Sequence, residues 1–181
     1  MNKPPIILKL KPLERESIAR GIPILGSSKG AWLAQKVQQL KPKQILELGT
    51  ANGYSGIILG SEGAELTTLE INAVIAQEAT ENFERFKINA KIILGDAVET
   101  VKNLLPEKES SYDLIFIDFA KNKYIQVLEN CLKLIRKGGF IIADNITMDG
   151  CQKYKDAVLN HPLLKTELIY IKDGISCSEK I

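Results

Sequence analysis

The sequence predicts an α/β domain: a doubly wound, seven-stranded, mostly parallel sheet with an antiparallel last strand. Three observations predict it. From Gln44 onward, apolar runs of strand length alternate with helical patterns, the signature of βαβ units whose helices cover both faces of a parallel sheet. The 181 residues, 45% apolar and 25% charged, suit one domain with its own core. Near the end, two apolar runs flank Lys172-Asp173-Gly174, and Asp-Gly is a strong tight-hairpin signal, so the last strand is expected to reverse.

The elements follow in order. A helix over 28–40 turns Trp32, Leu33, Val37 and Leu40 inward, and the run 44–49 is the first strand. A short helix over 54–60 follows the glycines, then a strand over 65–70. The next helix, 72–87, carries Val74, Ile75, Ala79, Phe83 and Phe86 at helical spacing. A strand over 90–95 leads to a helix over 97–105, expected to end before Pro106. The strand 112–118 precedes a helix over 124–136 with Ile125, Leu128, Cys131, Leu132 and Ile135 as its buried stripe. A strand over 140–144, a helix over 152–160 stopped by Pro162, and the hairpin strands 164–171 and 175–178 complete the chain.

Several function classes fall away. No apolar stretch approaches the ~20 residues of a membrane helix. Lys3, Lys9, Lys11, Pro4, Pro5 and Pro12 also break the start, so neither a spanning segment nor a cleaved signal is expected. Cys131, Cys151 and Cys177 are far apart and odd in number, against both a disulfide framework and a thiolate zinc site; a cytoplasmic protein is the expectation. One histidine, His161, leaves no material for a His-based metal cluster or a Ser-His-Asp triad. The net charge of +2 hides an asymmetry, because residues 1–43 hold nine Lys/Arg against Glu14 and Glu16. Residues 1–23 read as a basic leader, solvated and partly disordered, with a polyanionic partner left open.

What remains is carboxylates, amides, lysines and backbone. The first strand ends in Glu47-Leu48-Gly49-Thr50-Ala51-Asn52-Gly53-Tyr54-Ser55-Gly56, a strand-to-helix turn where glycines admit close approach of a ligand to the backbone. Its G-x-x-x-G-x-x-G spacing differs from a dinucleotide fingerprint, which disfavours pyrophosphate. Glu70 ends the second strand 21 residues beyond Gly49. It either receives ribose hydroxyls or is an exposed carboxylate at a helix N-terminus. Asp96 follows Gly95 at the third strand end, suited to an adenine amine or to capping the next helix. Three consecutive strand ends of this kind favour a nucleoside cofactor.

The fourth strand ends in Asp118 and the fifth in Asp144-Asn145, on the same sheet edge. Two carboxylates and an amide oxygen are hard ligands that select Mg²⁺, Ca²⁺ or Mn²⁺, although each alone is also a common turn residue. Lys121, three residues past Asp118, is either a surface lysine or a base whose pKa a neighbouring divalent ion would depress.

The strings ILELGTANGYSG, GDA, YDLIFIDFAKNKY and GGFIIADNITMDG, with Glu70 between the first two and DGIS at the end, resemble the cation-dependent O-methyltransferase family of catechol and caffeoyl-coenzyme A O-methyltransferases. The resemblance implies a Rossmann-like S-adenosylmethionine fold. It implies that Glu47, Gly49, Thr50, Ser55, Glu70 and Ala97 hold the cofactor with Gly53 in the same loop, Asp96 in the adenine pocket and Asp118 at the junction with the metal. It further implies Mg²⁺ on Asp118, Asp144 and Asn145, and Lys121 as the base at the acceptor oxygen. Phe119 and Ala120 stand where many members carry more polar residues.

The expected activity is therefore divalent-metal-assisted O-methylation of a small catechol-like acceptor, with a homodimer compatible and no membrane partner. Two rivals remain. A tRNA methyltransferase on the same fold is favoured by the basic leader but lacks an aromatic-rich basic patch. A nucleotide-binding oxidoreductase is opposed by the loop spacing and the reversed last strand.

Overall fold

In the computed structural model, which describes residues 5–181, helices α1 (Ile6–Ala19) and α2 (Gly26–Leu40) precede an alternating series. This runs β1 (Gln44–Leu48), α3 (Tyr54–Gly60), β2 (Glu65–Glu70), α4 (Ala73–Phe86), β3 (Ala90–Leu94), α5 (Ala97–Lys108) and β4 (Tyr112–Ile117). It continues with α6 (Tyr124–Leu134), β5 (Ile135–Asp144), α7 (Gln152–Asn160), β6 (Leu164–Ile169) and β7 (Ile175–Lys180). The strands form one sheet in the order β3-β2-β1-β4-β5-β7-β6. Every pairing is parallel except those of β7, which runs antiparallel to both β5 and β6, as the Asp-Gly hairpin predicts. Strand order reverses between β1 and β4, and the crevice outside the strand ends at such a switch point is where open α/β sheets take ligands.

Side chains alternate across the central strands. Ile45, Leu114 and Phe116 enter one apolar layer with Leu10, Leu33, Ile57 and Phe83 of α1 to α4. Leu46, Leu48, Ile115 and Ile117 enter the other with Val101, Leu128 and Val158 of α5 to α7. Both faces are covered, which is why these strands read as continuous apolar runs. The three cysteines are free and buried. Among the described residues, no helix is long and apolar enough to cross a membrane.

Four expectations are corrected. From Ile6 the expected solvated leader is helix α1, with Leu10, Leu13 and Ser17 on one buried stripe; the residues before Pro5 lie outside the described ones. Lys9, Lys11 and Arg15 point outward, and Pro12 lies on the exposed side, where the backbone acceptor it leaves without a partner is open to solvent. Helix α5 continues past Pro106 to Lys108 rather than stopping before it. Strand β5 begins at Ile135, not Phe140, because the chain passes through an irregularity: Tyr112 pairs with Ile135 but Leu114 with Phe140. Val74 is 83% exposed, since it sits about 200° around α4 from the buried Ala76.

Candidate functional site

The glycine loop and the exit of β4 are built against each other. Gly49 has φ +101°, and a Cβ there would stand 2.0 Å from the Asp118 carbonyl oxygen. Only glycine allows this approach, and the Asp118 amide completes it by donating to the Leu48 carbonyl at 2.9 Å. Behind the loop, Glu47 is fully buried and accepts from Ser55 Oγ at 2.6 Å and Thr68 Oγ1 at 2.7 Å. Burial pushes its carboxyl up to about 8 against the pull of those two hydroxyls. Thr68 in turn meets Thr50 Oγ1 at 2.6 Å.

A cavity of about 440 Å³ opens in front of this loop, of a size that takes a small organic ligand. Gly49, Thr50, Glu70, Asp96, Asp118 and Lys121 line it, with Ser55 and Ala97 on the same wall. Glu70 is held by backbone: Ala51 N–H donates to Oε2, and Ile71 and Asn72 N–H donate to Oε1, each at 2.9 Å. Asp96 caps α5 through the Val98 N–H at 2.8 Å and also lines the cavity. The Lys123 ammonium, 2.7 Å away, holds its carboxyl below the usual range. Four expected site residues, Glu47, Gly53, Asp144 and Asn145, do not line the cavity, so direct contact with a ligand in it does not follow for them. Glu47 ties β1 to β2 and α3, and Gly53, at φ +88°, starts α3 against Phe83.

The far end of the sheet edge carries charges. Lys121 Nζ lies 2.5 Å from Asp118 Oδ1 and 3.1 Å from Tyr124 Oη. Asp144 is 2% exposed, and its partner is the buried ammonium of Lys29 from α2. Burial, reinforced by the Asp118 charge, pushes the Asp144 carboxyl up to about 6 although Lys29 opposes it. Asn145, in the left-handed region at φ 57°, donates through Nδ2 to Asp173, which also pairs with Lys29. Asp118, Asp144 and the Asn145 amide oxygen fit a hard divalent cation by donor chemistry. Among the described residues, no group of three or more His, Cys, Asp and Glu side chains gathers as a metal-binding set.

Lys29 and Asp173 were not legible as site residues: Asp173 reads as a hairpin turn, and Lys29 as one lysine of a basic segment. The latch of the N-terminal helix was equally hidden. Asn52, fully buried in the glycine loop, donates to Ser17 Oγ of α1 at 2.7 Å, and its backbone carbonyl accepts from Asn82 of α4 at 2.9 Å. Pro23, Ile24 and Leu25, which follow α1, line the cavity as well.

Residues 8–181 match the O-methyltransferase family. A catechol O-methyltransferase from Niastella koreensis is 34% identical over 137 residues, which cover 72% of this chain and 62% of the relative. Catechol O-methyltransferase B from Danio rerio is 32% identical over 147 residues, covering 75% and 54%. The chain thus spans less than two thirds of the length of these relatives. Among solved structures, an O-methyltransferase from Bacillus cereus in complex with SAH superposes with a TM-score of 0.85 at 25% identity, over 100% of this chain and 93% of that one.

Proposed function

The chain belongs to the O-methyltransferase family, and on that premise we propose that it moves the methyl group of S-adenosylmethionine to a hydroxyl of a small catechol-like acceptor, assisted by a hard divalent cation such as Mg²⁺. One observation carries the reading. A single cavity is walled on one side by Gly49, Glu70 and Asp96, three strand-end groups suited to a nucleoside, and on the other by Asp118 and Lys121. In this reading Glu70 receives the ribose hydroxyls, Asp96 and Ala97 bound the adenine, and Gly49, Thr50 and Ser55 lie against the remainder of the cofactor.

The reaction is a direct displacement. With Lys121 as the neutral amine, its Nζ takes the acceptor hydroxyl proton and becomes the ammonium that pairs with Asp118, the acceptor oxygen bonds the methyl carbon, and the carbon–sulfur bond breaks to leave a neutral thioether. Asp118, Asp144 and Asn145 are the residues that would hold the cation, which, when bound, lowers the pKa of the acceptor hydroxyl. Most of the acceleration comes from positioning the two reactants in line.

A second reading, methylation of a hydroxylated base in tRNA, draws on the basic N-terminal segment. The pairing there weakens it: Lys11 is engaged by Glu14, and Arg20 by Glu16 and Glu78. A labelled methyl-transfer assay across catechols, hydroxycinnamoyl thioesters and bulk tRNA, with and without chelator, separates the readings. Catechol turnover that is lost in chelator and insensitive to salt is expected. Turnover of tRNA alone, falling with salt at a log–log slope of about −0.7 per phosphate contact, would replace the acceptor.

A further inference from the structure

Lys29, like Asp144 only 2% exposed, bridges Asp144 and Asp173 from positions 115 and 144 residues away in the chain. An ammonium is placed in such a position only when its charge is matched, because an unmatched buried charge is strongly destabilising. The match here is with one of the proposed metal ligands. Asp173, its second partner, also holds the Asn145 amide, so Lys29 is linked to two of the three proposed ligands, one directly and one through Asp173.

Charge balance at this end follows. Asp118, Asp144 and Asp173 face Lys29 and Lys121, leaving one net negative charge. A divalent cation entering with Lys29 in place would turn the balance positive, and a unit charge beside a divalent ion at neighbour distance weakens binding by well over about tenfold, even at an effective dielectric near ~20. We infer that Lys29 is a built-in cation that competes with a divalent metal for Asp144, so that this chain binds metal weakly and keeps its acceptor end assembled without it. The inference rests on the proposed metal reading of Asp118, Asp144 and Asn145.

The test is Mn²⁺ binding to the full chain, wild type against Lys29→Met and Lys29→Gln, by calorimetry and by Mn²⁺ resonance, with melting temperatures in chelator and in Mn²⁺. The variants are expected to bind Mn²⁺ at least about tenfold more tightly than wild type. Their melting temperature should fall in chelator, where Asp144 is left buried and unpaired, and recover on adding Mn²⁺, whereas wild type barely responds to either. Equal affinities, or a loss of melting temperature that Mn²⁺ does not restore, would overturn the competition and make Lys29 a tether of α2. Absence of binding to every protein would remove the metal reading together with this one. Should both variants fail to fold, the wild type still decides: a micromolar dissociation constant overturns the inference, and a millimolar one supports it.

Discussion

The proposed cofactor end and the proposed acceptor end of the site are built by different means. At the cofactor end, acids rest mainly on backbone N–H groups: Glu70 on those of Ala51, Ile71 and Asn72, and Asp96 on that of Val98, with the Lys123 ammonium as its one side-chain partner. At the acceptor end, Asp144 and Asn145 are held by side chains from distant segments, Lys29 and Asp173. A backbone cradle is set once the strand and helix form, so it is rigid before any ligand arrives. A network of opposed side-chain charges holds its shape only while its charge balances, and is the end expected to rearrange when an ion or acceptor enters.

The sharpest way to separate the two ends is to disable one and read the other. Lys121→Met should lower kcat by roughly 10²–10⁴, the usual contribution of a positioned base, while leaving S-adenosylmethionine affinity within about twofold by calorimetry. A parallel loss of cofactor affinity would mean that the two ends are not independent. Gly49→Ala strikes the point where they touch. Its Cβ would meet the Asp118 carbonyl at 2.0 Å in a backbone region unfavourable to alanine, so a loss of about 2–5 kcal/mol in denaturant unfolding is expected. Unchanged stability there would contradict the described contact between β1 and β4.

Glu70→Ala probes the cradle alone. Because backbone donors hold this carboxylate in place, its removal should weaken cofactor binding by roughly 1–3 kcal/mol without affecting chelator sensitivity of transfer. The last test concerns the buried acid behind the loop, and its readout is a pH slope. The Glu47 carboxyl keeps its proton in the folded state up to about pH 8, whereas unfolded it titrates near 4.5. The stability of the neutral folded form is thus fully present below 4.5 and declines as pH rises through about 8. Glu47→Gln should flatten that decline, gaining on wild type between about pH 5 and pH 8.5 in chemical denaturation midpoints. An identical pH slope in the two proteins would show that Glu47 is not held neutral.

Much of the cofactor end was legible because its signals are local. The glycines between Glu47 and Gly56, the acids at the exits of β2 and β3, and the alternation of strands and helices all act within a few turns of chain. The same locality explains the misreadings. Pro12 and the lysines around it suggested a solvated leader, yet the stripe Leu10, Leu13 and Ser17 closes α1 onto the core and onto Asn52. Pro106 looked like a helix stop but falls in the last turn of α5, near the end of its hydrogen-bond ladder.

The sequence by itself determined the fold class, the reversed last strand, and which residues stand at the carboxyl ends of β1 to β5, since periodicity, turn chemistry and strand-end position are properties of contiguous chain. Only the tertiary structure decided that Lys29 of α2 meets Asp144 and Asp173, that Glu47 lies behind the cavity instead of in it, and that α1 is latched to the glycine loop. The physical reason is that a charge or hydroxyl carries no mark of its partner. Which pairs meet is settled by strand order and helix packing, and there a residue 115 positions away is as near a neighbour as the next one in the chain.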